Sequence, residues 1–528
     1  MRIQVRINEE GALRNQRYAF SDKYTLVTEL MQNARRADAR RVEVLYDEGA
    51  KVLRIIDDGC GIEDFQKLLT FNESGWANSI CREERAFGIG FSKCLYSATR
   101  CVVVSRGQKI DFMTDAALKR EPIEVINVPD ERQTVVELHE VLLPGLKTRL
   151  STVASGFPIA VCFNGIEISR IHAIERLAFT PTEIGEVYLT GTQDGKYSTD
   201  TLVFLQGFCV MRPSGFDPEH VNVVHLDSQK FMARLPDRDK LIDEEDQYRR
   251  IDGCLKSLWR QAVIAAKTEL EPEVFVDLFF KAMSRWGHLD LLNTVPLLPK
   301  CLCQRIVGYP LQEAYESRQY LEPVGRCLTR SEIEGGRTVL AELDSTRSEN
   351  VACWMLAKAK GYIVFSAVSL HRDHWAHPYT RVLDDAPVQV DAVGAHCRGM
   401  LEGRWIWTEV ILCDAVSLTL GDERVEIADE GVYHEGSIFI PAGEASGEPV
   451  RQASDFIDEH DQFLYDYRDA DRAALADLIL RLRATDPNVT LRSLVQGLKL
   501  EQYPLLQGKT FRLKVGHRRG EHAVELVA

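Results

Sequence analysis

Apolar and polar positions alternate with clear periods along the first half of the chain. Over residues 23–40, Leu26, Val27, Leu30, Met31 and Ala34 recur at helical spacing, which predicts a helix with one apolar face. Residues 41–47 (Arg-Val-Glu-Val-Leu-Tyr-Asp) and 52–56 (Val-Leu-Arg-Ile-Ile) predict two strands joined by the turn Asp47-Glu48-Gly49. Residues 62–86 carry no period, and a stretch of that length inside a compact domain suits a lid. A short helix over 91–98 and a strand from Arg100 to Ser105 follow. Strand-like runs at 123–127 and 134–138, a helix over 146–154 and a hairpin about Asn164-Gly165 complete the first 170 residues.

Strands and then a helix over 244–268 are predicted for 185–270. Residues 271–335 read as helices, with Val274-Phe-Val-Asp-Leu-Phe-Phe as an apolar stripe. Residues 336–528 read as a further α/β domain, with strands at 361–366 and 408–413 and an acidic helical stretch over 455–482. Residues 1–7 alternate like an edge strand. The expected fold class is therefore α/β (α+β), divided into 1–170, 171–270, a helical connector at 271–335 and 336–528.

Composition adds limits. The chain has 528 residues, enough for three or four domains, with ordinary apolar (45%) and charged (27%) content. It has no apolar run near 18 residues and no signal-peptide core at residues 1–7, so no membrane span and a cytoplasmic location are expected. A net charge of −15 argues against a broadly basic nucleic-acid surface and favours a protein client over DNA. The 13 cysteines lack paired zinc spacing; Cys301-Leu-Cys303 is a lone CxC, so reduced thiols are expected. His371, His374 and His377 flank Asp373 and could suggest a metal. Without cysteine or further acidic spacing they read as polar histidines around Trp375.

Three short patterns carry candidate chemistry. Glu29 and Asn33 are four apart and stack on one side of the predicted helix. A carboxylate can deprotonate an attacking water while a neighbouring carboxamide oxygen holds Mg²⁺. Asp57, at a strand end before Gly59 and Gly61, can accept a hydrogen bond from an exocyclic amine, and the glycines let backbone approach a flat ligand. Gly88 and Gly90 open the helix at 91–98, where free N–H groups suit phosphate oxygens.

Together these boxes resemble the GHKL ATPase superfamily of gyrase, the ninety-kilodalton heat-shock chaperones, histidine kinases and MutL. The run from Asn33 to Val44 is most similar to MutL and MORC proteins, and Phe87 to Val104 to the chaperones. The resemblance covers residues 20–140. It implies a Bergerat-type ATPase sandwich followed by a transducer domain, with ATP and Mg²⁺ as ligands. Glu29 matches the general base and Asn33 the Mg²⁺ ligand. Asp57 matches the carboxylate that reads the adenine amine, and Thr134 a threonine that supports it. Gly59, Gly61 and Ile62 match the first glycine box; Phe87, Gly88, Ile89, Gly90 and Phe91 match the second. A basic residue in 228–241 (Lys230, Arg238 or Lys240) would reach the γ-phosphate. Arg36 departs from the family, standing where MutL-like helices carry Asp; Asp38 is the nearest acid. This departure bears on hydrolysis more than on binding. With 28 residues before Glu29, a histidine kinase is not expected. The resemblance implies a homodimeric clamp closed by ATP, and the acidic balance favours a protein client. The alternatives are a DNA-acting clamp and a nucleotide-binding scaffold without hydrolysis.

Overall fold

The structure is a computed structural model. It describes all residues except 1–2, 5–7, 20–21, 72, 77–80, 82–87, 89, 130, 235–236, 310–319, 344–349, 497, 519 and 528. The chain forms two compact units: residues 1–270 with 278–288, and residues 271–277 with 289–528.

In the first unit, strands β1 (Arg41–Asp47), β2 (Val52–Asp57), β3 (Arg100–Ser105), β4 (Gln108–Met113), β5 (Val125–Asn127), β6 (Thr134–His139), β7 (Ala160–Phe163) and β8 (Ile166–Glu167) make one sheet. Its order is β5-β4-β3-β6-β2-β1-β7-β8. Every pairing is antiparallel except β1 with β7. Period-two alternation puts Val42, Val44, Leu53, Ile55, Cys101, Val103, Val136 and Leu138 on one buried face. The opposite face is mixed, with Val102, Val104 and Val135 beside cross-strand ion pairs such as Arg54 with Glu137 and Arg100 with Asp111.

Helices α1 (Glu9–Gln16), α2 (Thr25–Arg36), α3 (Phe65–Leu68), α4 (Ser92–Ser97), α5 (Thr114–Leu118) and α6 (Leu146–Val153) accompany the sheet. Leu26, Val27, Leu30, Met31 and Ala34 of α2 join the same core as the buried sheet face, with Cys94 and Leu95 of α4. The result is a mixed α/β sandwich, as expected. The α2 helix ends at Arg36, short of residue 40. Asp38 takes φ 57, and the N–H groups of Ala39 and Asp38 return to Ala34 O (3.1 Å) and Arg35 O (3.1 Å). This left-handed cap closes the helix.

A second sheet, β9 (Thr180–Thr182), β10 (Gly185–Tyr188), β11 (Thr201–Leu205), β12 (Phe208–Met211) and β13 (Asn222–Leu226), follows in the order β12-β11-β13-β10-β9. β11 and β13 are parallel. α7 (Glu244–Glu269) buries Ile251, Leu255, Trp259 and Val263.

The expected all-helical connector at 271–335 is corrected. Among the described residues of that stretch, only Pro272–Trp286 is a long helix. Beyond it, Leu297–Leu298, Cys303–Ile306, Leu321–Pro323 and Leu328–Thr329 are strands. Cys303–Ile306 pairs with Ile363–Phe365, so these residues build the second unit. The apolar stripe at 274–280 marked the true helix, and short runs between prolines were too brief to announce strands. The second unit has its own core, centred on the buried helix segment from Val351 to Ala357 and on strand Trp407–Cys413. His371, His374 and His377 make no three-ligand metal group among the described residues. His374 is buried beside Trp375, and burial pushes its pKa down to about 4. No helix of the described residues is long and apolar enough to cross a membrane.

Candidate active site

One face of α2 forms a wall of a cavity of about 500 Å³ within the first unit. Its lining includes Glu29, Asn33 and Arg36 of α2, then Asp38, Asp57, Gly61, Ile62, Gly88, Gly90, Phe91, Thr134 and Arg238. The volume falls within the range that holds a nucleotide-sized ligand.

At one end, β2 delivers Asp57. Its carboxylate accepts one hydrogen bond among the described residues, from the Gly59 N–H at 3.0 Å. Burial pushes its pKa up to about 6, with the Asp58 charge adding and the Gly59 bond opposing. Thr134 stands opposite Asp57 in the β2–β6 register and is buried, its hydroxyl 3.0 Å from that of Ser105. The Ser105 hydroxyl also accepts the Ile62 N–H at 2.9 Å.

The glycines here are required sterically. A Cβ on Gly59 would meet Ala37 Cβ at 2.7 Å, and Gly61 has φ 80. Gly59 packs behind the wall and does not itself line the cavity. Arg106, unmarked in the sequence, lies over Gly61. Its Nε donates to Cys60 O at 2.7 Å and its Nη1 to Glu63 at 2.8 Å.

At the other end, Glu29 is 6% exposed and Arg238 Nε lies 3.0 Å from its Oε1. The N–H is not aligned as a hydrogen bond, so the contact is an ion pair. Gly90 abuts the second carboxylate oxygen, since a Cβ there would come within 2.2 Å of Glu29 Oε2. Gly88 has φ 72. Phe87 and Ile89 lie outside the described residues.

Arg238 sits in the loop between Ala233 and Leu241, which pair as an isolated bridge. The neighbouring Asp237 fixes this loop to the start of α2. Thr25 Oγ1 donates to its Oδ1 at 2.6 Å and the Asp22 N–H to its Oδ2 at 3.2 Å. Negative charge is favoured there by the dipole of α2 at its N-terminal end. Lys93 of α4 is buried; burial lowers its pKa, and the Asp237 and Asp22 carboxylates partly restore it.

Of the three basic candidates, Arg238 alone lines the cavity. Lys230 donates to Glu183 O at 2.9 Å and pairs with Asp227, while Lys240 lies 3.9 Å from Glu244. Both lie outside the cavity lining, with their partners on the surface. The contributions of Ser105 and Asp237 are not legible in the sequence. A lone serine closing the β-branched run Val102-Val-Val104 was the one signal that pointed at any of them.

The chemistry of the donors fits an adenine nucleotide with Mg²⁺. A half-buried carboxylate with spare acceptor capacity, Asp57, stands at one end. A carboxamide, Asn33, shares the wall with a buried carboxylate, Glu29, toward the other. Residues 23–141 match the family model described as histidine kinase-, DNA gyrase B-, and HSP90-like ATPase. No curated protein matches the chain. The matched segment is a GHKL-type ATPase domain, and it holds every cavity residue discussed above except Arg238.

Proposed function

We propose that this protein is a slow ATPase in which ATP binding and hydrolysis drive a conformational cycle, with two copies closing as a clamp on a protein client. The observation that carries this reading is the meeting of Glu29, Gly90 and Arg238 at the end of the cavity away from Asp57.

In this reading Asp57 accepts the adenine amine, and backbone N–H groups at Gly88 and Gly90 face phosphate oxygens. Asn33 would hold Mg²⁺, which supplies charge neutralisation at the phosphates. Glu29 takes a proton from the attacking water. Arg238 moves from the Glu29 carboxylate toward the γ-phosphate and stabilises the charge that develops there. The ion pair seen between Glu29 and Arg238 is then the resting arrangement, in which the base is occupied. Such an exchange makes slow turnover natural, because chemistry waits on a loop movement. The acidic balance of −15 favours a protein client over DNA.

The test is ATP turnover by the full chain with Mg²⁺, with mass followed with and without a non-hydrolysable ATP analogue. Turnover with analogue-driven dimerisation supports the clamp. Binding without turnover moves the reading to a scaffold, which Arg36 on the cavity wall would suit. No binding removes it.

Gly90→Ala provides a local check. The added methyl would sit within 2.2 Å of Glu29 Oε2, and Arg238 restrains the carboxylate from retreating. Displacing a base by about 1 Å is expected to cost about 100-fold in turnover. Steady-state kcat decides this, and an unchanged kcat would place the hydrolytic centre elsewhere.

A further inference from the structure

The Glu29–Arg238 contact is itself held by a side chain that the ATPase reading leaves unassigned. Gln206 and Gly207 form the two-residue turn between β11 and β12, with φ 53 and 86. Both angles are positive, as a type I′ hairpin turn requires. Gln206 Oε1 accepts from Arg238 Nη1 at 2.7 Å and from Gln32 Nε2 at 3.0 Å. Gln32 is 1% exposed and lies on α2, three residues after Glu29.

One guanidinium is therefore gripped on two edges: its Nε faces the α2 carboxylate and its Nη1 the hairpin turn of the second sheet. Arg238 also has φ 53, a left-handed backbone conformation uncommon for residues other than glycine. A planar fork held at two points has one orientation, whereas a fork held at one point can rotate.

We propose that Gln206 is a positioning residue for ATP hydrolysis. With Gln32 it ties the hairpin turn of the second sheet to α2 and sets the plane in which Arg238 meets the phosphate end of the cavity. This rests on the reading of Glu29 as base and Arg238 as the cation at that end. If Gln206 acts through Arg238, its loss costs nothing once Arg238 is gone. If it only fills space, an apolar residue of similar volume replaces it.

The experiment compares Gln206→Leu, Gln206→Glu, Arg238→Ala and the Gln206→Leu/Arg238→Ala double variant with wild type and Glu29→Gln, in the full chain with Mg-ATP. The readouts are kcat, KM and melting temperature. Gln206→Leu is expected to lower kcat by about 10- to 100-fold. The KM should stay within about threefold, since the interaction matters after ATP is bound. Gln206→Glu, which keeps an acceptor oxygen, should recover most of that loss. The double variant should be no slower than Arg238→Ala alone. Multiplying losses in the double variant, or wild-type kcat in a folded Gln206→Leu, overturns the proposal while leaving the base assignment intact. Equal turnover in wild type and Glu29→Gln overturns the base assignment and this proposal with it.

Discussion

Glu29→Gln is expected to lower ATP turnover by about 10³-fold, within the range that a positioned general base supplies. Nucleotide affinity should change little. Glutamine keeps the length of the side chain and still offers an oxygen to Arg238, whose Nε lies 3.0 Å from Glu29 Oε1. What it cannot do is take a proton from water.

The alanine variant makes a sharper comparison because it also removes the counter-charge. The Arg238 side chain is 17% exposed, and Glu29 is its carboxylate partner in the cavity. Leaving such a charge unpaired costs roughly 3 kcal/mol. Glu29→Ala should therefore melt lower than Glu29→Gln, and adding Arg238→Ala should recover part of that difference. Steady-state kcat, calorimetric ATP affinity and melting temperature separate the roles. A glutamine variant that turns over like wild type removes the base assignment. One that no longer binds ATP would make Glu29 a binding group.

The sequence disclosed this site unevenly, and for physical reasons. Glu29 and Asn33 were legible because helical periodicity fixes which side chains share a face. Asp57 was legible because an acid at a strand end followed by two glycines can present a carboxylate beside a flat ligand. The strands expected at 41–47, 52–56 and 100–105 followed from runs of apolar residues set against one buried layer. Arg238 was only one of three basic candidates: chain order brought its loop to the site, but side-chain direction depends on a turn with φ 53. The role of Gln206 was beyond reach, since its partners lie 32 and 174 residues away and its turn looks like any hairpin. The strands at 297–329 were missed because their pairing partners, not their own residues, stabilise them.

Asp57→Asn should separate stability from recognition. The Asp57 pKa rises from its ordinary 3.8 to about 6, chiefly through burial. The folded chain thus prefers the neutral acid, an advantage fully present below pH 4 and lost as pH rises through 6. Above pH 6 the folded chain holds a buried anion, at a cost of about 3 kcal/mol for a little over two pH units at 1.36 kcal/mol each. Asparagine removes that cost and keeps an oxygen for the Gly59 N–H. The nucleotide-free variant should therefore melt higher than wild type at pH 8 and equal to it at pH 4. ATP affinity should move the other way. Loss of a hydrogen bond to a charged group costs about 10- to 100-fold in affinity. Wild-type affinity for adenosine, which has no phosphates to titrate, should itself fall as pH drops through 6. The carboxylate also repels the guanine carbonyl oxygen, whereas the asparagine amide can donate to it, so the preference for ATP over GTP should narrow in the variant. A variant that loses stability at pH 8, or that keeps full discrimination between the two nucleotides, would mean that the base binds elsewhere in the cavity. The half-buried Asp57 would then serve the turn at Gly59 rather than a ligand.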